Sequence, residues 1–268
     1  MVSFSSELIN GWIISLLWPL TRVLGVIATA PILSDRSTPT RIKLGFGIVL
    51  TLVIMPTIPE IPSFDIFSFQ GLLILIQQMI IGLAMGFSVR LVFSAIGVAG
   101  QLIAMSMGLG FATFFDPQTR GQTTAISQFL TILVMLVFLS MDGHLLMISA
   151  LANSFVTMPI VLEGGGISPM KVVAWGEAIF STGVLLALPA VAALLITNMA
   201  LGILTRTAPQ LNLFGIGFPI TLSIGFLVLA LALQGMLMPM KKMATVSIEY
   251  MQEVAVPAVA TQTDQINP

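Results

Sequence analysis

The sequence predicts an all-α protein that enters a membrane through several helices. Hydrophobic residues make up 57% of its 268 residues, charged residues only 8%, and mean hydropathy is +1.06. A soluble domain carries about 25% charged residues, so this chain has too little polar surface to cover an apolar core of its size. Ten Lys and Arg nearly balance eleven Asp and Glu, and this balance offers no basic surface for nucleic acid.

Charge-free apolar runs locate the expected helices. Six of them reach the roughly 18 residues that indicate a transmembrane helix: 66–89, 91–115, 121–141, 143–162, 178–205 and 207–240. Two weaker candidates precede them, 8–34, which Arg22 interrupts, and the shorter 44–59. We interpret Arg90, which separates the first two long runs, as a connector charge.

Basic residues set the expected orientation of these runs. The connector 35–43 is placed in the cytoplasm by the positive-inside rule, because it carries Arg36, Arg41 and Lys43. Lys241 and Lys242 close the last run and favour the same side. One crossing per run puts this pair on the opposite side. At least one run is therefore expected to double back or to stop short of crossing.

Proline and glycine identify the run that is expected to bend. Run 207–240 has 34 residues and contains Pro209, Pro219 and a Gly-Ile-Gly at 215–217, and proline inside a helix removes a hydrogen bond and clashes with the preceding turn. We interpret this run as a bent or doubled-back pair of short helices. Run 178–205, which contains Pro189, is a second candidate.

Arg22 is the unusual charge within the first apolar run. An arginine at mid-bilayer costs about 2.5–3.5 kcal/mol on insertion scales. Two interpretations are open. The side chain reaches the interface or pairs with a carboxylate of a partner chain, or it is a charge that takes part in gating or coupling.

Small and polar residues inside the runs predict close helix packing. Gly82 and Gly86 have the GxxxG spacing that lets helix backbones approach closely in lipid. Glutamines in the same stretch need hydrogen-bond partners there, within the chain or on another subunit. We therefore assign Gly82 and Gly86 to subunit packing.

The segment 105–122, MSMGLGFATFFDPQTRGQ, is the least regular in the chain. Gly108 and Gly110, followed by Asp-Pro at 116–117, argue against a helix that runs through it. Two interpretations are open: an aromatic turn at the interface, or an apolar loop inserted in a pore, where pliable and bulky apolar side chains form a seal. The candidate plug residues are Met105, Met107, Phe111, Phe114 and Phe115.

Four segments resemble, in order, the FliR family of the bacterial flagellar type III export gate. They are TAPILSDR (29–36), MGLGFATFFDP (107–117), DGHLLMIS (142–149) and RTAPQLNLFGIGFP (206–219). The resemblance covers roughly residues 8–240, and the last segment is the most specific of the four.

The resemblance implies kinked helical hairpins packed in a larger helical assembly with FliP and FliQ, adjoined by FlhB and FlhA. It places the chain at the flagellar basal body in the inner membrane, where the assembly exports unfolded flagellar proteins. Residues 1–240 are expected to form one helical domain, FliP-like to about 125 and FliQ-like from 126, followed by a polar tail at 241–268, of which we expect 254–268 to be disordered and solvent-exposed. The loop 106–122 plugs the closed pore, and Arg206 and Gln210 cap helix ends or contact neighbouring subunits.

Two other classes of function are weaker. A secondary transporter uses broken helices and buried ionisable residues, but inverted repeats and an Asp/Glu/His relay are not visible in the sequence. An intramembrane enzyme would need a nucleophile or a metal site. The chain has no cysteine and one histidine, His144, whose neighbour Asp142 completes no serine constellation. We expect conduction and gating without a cofactor or a metal ion.

Overall fold

The computed structural model describes residues 6–35, 37–59, 68–111, 124–161, 169–208 and 217–255. These residues form seven α-helices and two 3-10 turns, and they contain no strand, which confirms the predicted all-α class. The helices are α1 Ser6–Thr29, α2 Thr40–Ile54, α3 Phe69–Ser106, α4 Ala125–Ser140, α5 Gly143–Thr157, α6 Pro169–Thr207 and α7 Phe218–Val254. The 3-10 turns are Met55–Thr57 and Leu109–Phe111.

Four of the described helices are long and apolar enough to cross a membrane, which confirms a polytopic membrane protein. They are α2 with its 3-10 extension, α3, α6 and α7. Helices α4 and α5 qualify only as a pair, bent by 69° at the break between them. Four crossings after the basic connector 35–43 would place Lys241 on the same side as that connector, as the positive-inside rule requires, whereas a fifth crossing by the α4–α5 pair, or the seven separate runs that follow the connector in the sequence, would not.

Helix α3 shows that Arg90 is not a connector. The helix runs for 38 residues through the runs 66–89 and 91–115, and Arg90 lies within it with an exposed side chain. Arginine is a good helix former, and a charge that reaches the helix surface does not interrupt the backbone hydrogen bonds. The predicted break between the two runs is therefore wrong.

Helix α7 is also continuous where a bend was predicted. From Phe218 to Val254 it is one helix, and Pro219 occupies its first turn, where the missing N–H costs little. Helix α6 likewise continues through Pro189. The predicted pair of short helices is wrong from residue 218 onward, and residues 209–216 lie outside the described part of the chain.

The end of α7 is packed rather than exposed. Lys241 and Lys242 are exposed, but one face of the following turns is buried: Met243, Ala244, Ser247, Ile248, Met251, Val254 and Ala255. An apolar stripe at helical spacing buries itself against a neighbouring element even when the opposite face is charged. The polar segment therefore belongs to the folded protein as far as residue 255.

The helices contribute to two compact units. Unit 1 comprises the described residues of Met1–Leu91, Asp142–Trp175 and Thr245–Pro268. Its buried side chains include Trp18, Arg22, Met85 and Phe155. Stacked rings of Trp175 and Tyr250, with centroids 4.7 Å apart, join the start of α6 to the end of α7 within this unit.

Unit 2 comprises the described residues of Val92–Met141 and Gly176–Ala244. Its core contains an edge-to-face pair, Phe93 and Phe138, whose ring centroids are 5.4 Å apart. Such a pair adds about 0.5–1.5 kcal/mol beyond its buried area and fixes α4 on α3.

Candidate functional site

The candidate functional site is the base of the 105–122 loop, in unit 2. Helix α3 ends at Ser106, and Gly108 follows with φ +83°. This left-handed conformation favours glycine, and it turns the chain out of the helix axis into the 3-10 turn that ends at Phe111. The two methionines before the turn differ in environment, because Met105 is 60% exposed whereas Met107 is fully buried.

Helices α6 and α7 fix the outgoing end of the loop. The side-chain amide of Asn198 donates to the main-chain oxygen of Ser106, with a distance of 3.1 Å. Met107 fills the space over Gly225, where an added Cβ would lie 2.6 Å from the methionine Cγ and Cε. The ring of Phe218 packs at Gly108. Met107 therefore anchors the loop, and Met105 keeps its surface free.

The returning end of the loop is fixed on α3. Thr124 is the N-cap of α4, accepting from the main-chain N–H of Ser127, and its hydroxyl donates to Gln101 at 3.2 Å. The hydroxyl of Ser127 donates to the main-chain oxygen of Gly97 at 2.9 Å. A Cβ on Gly100 would lie 2.5 Å from Cα of Ser127, so glycine is required for this approach.

The outgoing end of the loop is thus held by α6 and α7, and the returning end by the last turns of α3. Phe114 and Phe115 lie outside the described residues, and for Phe111 only the backbone is described. The sequence located this segment, but it did not separate the anchoring methionine from the exposed one. Gly225 is the sequence feature that could have identified Met107 as the anchoring methionine, because a glycine leaves room for a buried side chain.

The glycines assigned to subunit packing lie against the same chain in unit 1. A Cβ on Gly82 would collide with the main-chain oxygen of Arg22, and a Cβ on Gly86 would collide with the hydroxyl of Thr29. That hydroxyl donates to the main-chain oxygens of Gly25 and Leu83, at 3.0 and 3.1 Å. The GxxxG pair therefore packs α3 against α1.

Arg22 is the buried charge of unit 1. Its side chain is fully buried. Nε donates to Oε1 of Gln78 at 2.8 Å, and Nη1 donates to the main-chain oxygen and the hydroxyl of Ser154 at 2.8 and 3.1 Å. Nη2 donates to the main-chain oxygen of Met158 at 2.8 Å. The centroid of the Phe155 ring lies 4.3 Å from Cζ of Arg22.

This environment contradicts the interpretation that Arg22 reaches the membrane interface or pairs with a carboxylate of a partner chain. The side chain neither reaches the interface nor meets a partner chain, because it is enclosed within unit 1. Ser154 and Met158 lie at the carboxyl end of α5, where a cation is favourable beside the carbonyl dipoles. Arg22 thus caps α5 and joins it to α1 and α3. The sequence showed the charge, but not acceptors 56 to 136 residues away.

The remaining candidates add no cluster to the site. Arg206 is exposed in the last turn of α6, a favourable place for a cation, and Gln210 lies outside the described residues. Nδ1 of His144 is buried without a hydrogen-bond partner in the described part of the chain. Within the same residues, no group of three or more His, Cys, Asp or Glu could hold a metal ion.

The long apolar helices, the buried clasp that Arg22 makes with Gln78, Ser154 and Met158, and the anchored base of the 105–122 loop define a polytopic helical membrane protein. A family described as bacterial export proteins, family 1, matches residues 13–246. The chain is 44% identical over 237 residues to the flagellar biosynthetic protein FliR of Pectobacterium carotovorum, which spans 87% of this chain and 89% of that relative. It is 42% identical to FliR of Escherichia coli K12, over 86% and 88% of the two chains.

More distant relatives carry the same description. FliR of Buchnera aphidicola from Acyrthosiphon pisum is 34% identical over 245 residues, which is 90% of this chain and 94% of that relative. The chain therefore belongs to the FliR family of flagellar biosynthesis and export proteins.

Proposed function

We propose that this chain is a core subunit of the flagellar type III export gate in the bacterial inner membrane. It forms the export pore with FliP and FliQ, beside FlhB and FlhA, and unfolded flagellar proteins pass through that pore. Membership of the FliR family and the several membrane-length helices support this proposal. The work of the subunit is conduction and gating, and it needs neither a cofactor nor a catalytic residue.

The loop that follows α3 is the plug of the closed channel. An apolar constriction stops ions by excluding water, and the sequence supplies Phe111, Phe114 and Phe115 for that purpose. The observation that carries this proposal is the anchored loop base: a plug must be held firmly at both ends while its tip stays available. Met105 contributes exposed apolar surface, and Met107 holds the stem.

The proposed subunit arrangement follows the likeness of the two halves to the partner proteins. Residues up to about 125 take a FliP-like place in the ring, and residues 126–240 take a FliQ-like place. Native mass spectrometry of the complex purified through this chain tests the arrangement. One copy with several copies of FliP and FliQ is the expected result, and a monomer or a simple homodimer would refute it.

The plug is tested by substitutions that leave the anchors intact. Phe114→Asn combined with Phe115→Asn makes the loop tip polar, so the closed channel should admit water and ions. The expected result is an ion leak in cells and in reconstituted vesicles, while FliP and FliQ still co-purify. Phe226→Asn, the same change at an exposed aromatic residue of α7, is the matched control and should not leak. An intact complex with an unchanged leak in the loop variant would overturn the plug assignment.

Replacement of residues 112–122 by a short Gly-Ser linker is a stronger version of the same test. The deletion begins after the 3-10 turn and ends before Thr124, so Met107, Asn198 and Ser127 keep their contacts. A larger leak than that of the double substitution is expected. Loss of assembly would instead show that the loop holds the subunits together.

A further inference from the structure

The last turns of α6 extend beyond the end of α3 in unit 2. Two contacts show that the two helices run parallel. A Cβ on Gly183 would lie 2.8 Å from the main-chain oxygen of Ala95, and the amide of Asn198 donates to the main-chain oxygen of Ser106 at 3.1 Å. Helix α3 ends at this second contact, whereas α6 continues through residues 199–207. These nine residues project by roughly 13 Å at 1.5 Å per residue, on the side where the 105–122 loop leaves α3.

The projecting end of α6 presents apolar surface beside a cation. Leu194 is the last buried residue of α6, and every residue of 195–208 is at least partly exposed. Met199 is 69% exposed and Ile203 is 65% exposed. Arg206, which is also exposed, neighbours Ile203 on the helix surface because the two residues are three apart. A segment with bulky apolar side chains next to a carboxylate would suit this surface.

Arg206 has few acidic residues available to it in unit 2. The sequence of this unit contains two, Asp116 and Glu177. Glu177 precedes Arg206 by 29 residues on the same helix, which is roughly 44 Å at 1.5 Å per residue. The connector 209–216, which leaves the same end of α6, has no charged residue. Asp116 is therefore the acidic residue of the unit that can serve as the partner of Arg206.

The segment 112–123 is long enough to bring Asp116 to the end of α6. Its path starts after Phe111, the end of the 3-10 turn that follows α3. Asp116 comes five residues later, and five residues span up to about 17 Å. The distance to cover along α6, from Asn198 beside the end of α3 to Arg206, is roughly 12 Å. The returning end allows the same reach, because the eight residues from Asp116 to the fixed N-cap of α4 span up to about 27 Å.

We propose that the projecting end of α6 is the docking surface of segment 112–123 and that Asp116 forms an ion pair with Arg206. The two phenylalanines that directly precede Asp116 then cover Met199 and Ile203. The carboxyl end of a helix carries negative partial charge and repels a carboxylate, so Arg206 is required for this placement. The proposal concerns contacts within this chain, and it can hold or fail independently of the plug.

The chain has no cysteine, so a disulfide between two introduced cysteines tests the docking. Thr113→Cys is combined with Gly202→Cys, where nothing lies within 4 Å of an added Cβ, in the complete complex with FliP and FliQ. The control replaces Gly202→Cys by Val184→Cys, an exposed position on the same face of α6, five turns or roughly 27 Å earlier. Under copper phenanthroline the 113–202 disulfide should form at least tenfold faster than the 113–184 disulfide, within the band of a single chain on a non-reducing gel.

Two results would overturn the docking. One is an equal rate for the two pairs. The other is a complex in which the cysteine at 113 reacts with a maleimide but does not link to 202, because a neighbouring subunit or lipid then covers the end of α6.

The ion pair is tested by exchange of its charges in the protein with cysteines at 113 and 202. Arg206→Glu and Asp116→Arg should each slow disulfide formation, by roughly two- to fivefold as for an exposed ion pair, and the double exchange should restore the rate. Arg120→Gln is the matched control and should leave the rate unchanged, since Arg120 is the basic residue of the segment itself. An unchanged rate in Arg206→Glu, or a double exchange no faster than the single variants, would refute the ion pair.

Discussion

Substitution of Gly82 by alanine should separate α1 from α3. The new Cβ would collide with the main-chain oxygen of Arg22, which cannot rotate away as a side chain does. The two backbones are equally close at the neighbouring contact, where a Cβ on Gly25 would lie 2.8 Å from the main-chain nitrogen of Leu83. Relief of the collision at Gly82 therefore requires α1 and α3 to separate, and this separation weakens the 2.8 Å hydrogen bond from Arg22 to Gln78 that joins them.

The magnitude follows from these two effects. Overpacking costs about 1–3 kcal/mol, and a hydrogen bond to a charged group contributes about 1.5–3 kcal/mol. Alanine regains up to about 1 kcal/mol over glycine within a helix, so a net loss of roughly 2–4 kcal/mol in the free energy of unfolding is expected.

Thermal unfolding of the purified chain in detergent, followed by tryptophan fluorescence, measures this loss, because Trp18 is fully buried in the same unit. The melting temperature of Gly82→Ala should fall by about 2–4 °C per kcal/mol. Gly45→Ala is the matched control, since nothing lies within 4 Å of the added Cβ, and it should be neutral or slightly stabilising. A Gly82→Ala protein as stable as the Gly45→Ala protein would refute the close contact between α1 and α3.

Three further changes probe the loop base and the clasp. Gly100→Ala should destabilise the purified chain by about 1–3 kcal/mol. Gly97→Ala is the control and should not, because the nearest atom to its Cβ would lie at 3.7 Å. Equal melting temperatures of the two variants would contradict the close packing of α4 on α3. Asn198→Leu keeps the branched shape of the side chain but loses the hydrogen bond to the end of α3, so unfolding should cost about 0.5–1.5 kcal/mol less. Arg22→Lys retains the charge but not the planar fork, and SDS titration should show a loss of at least one charged hydrogen bond, about 1.5–3 kcal/mol; an unchanged midpoint would show that charge alone suffices.

The sequence predicted the existence of the helices better than their ends. Each long helix overlaps one or more of the apolar runs, because only such runs are stable in hydrocarbon. Charges and prolines were poor markers of helix ends. Arg90 and Pro189 both lie inside continuous helices. Whether a helix continues through such a residue depends on the tertiary contacts around it, and these contacts cannot be read from the local sequence.

The contacts that build the candidate site could be predicted only in part. GxxxG spacing found the glycines of α3, but which helix they meet depends on the fold, and the partner proved to be α1. The loop was recognisable from its composition. The roles of Met105 and Met107 were not, because they depend on a glycine more than a hundred residues later in the chain.

The clasp around Arg22 determines the order in which parts of unit 1 can reach their final contacts during synthesis. Its acceptors in α5 follow it by 132 and 136 residues, and at 5–20 residues per second the ribosome needs roughly 7–27 s to supply them. Gln78 is made earlier, 56 residues after Arg22, so during that interval the guanidinium has one of its side-chain acceptors but none of its acceptors in α5. The amino-terminal helix therefore reaches its final hydrogen-bonded place in unit 1 only after α5 has been made.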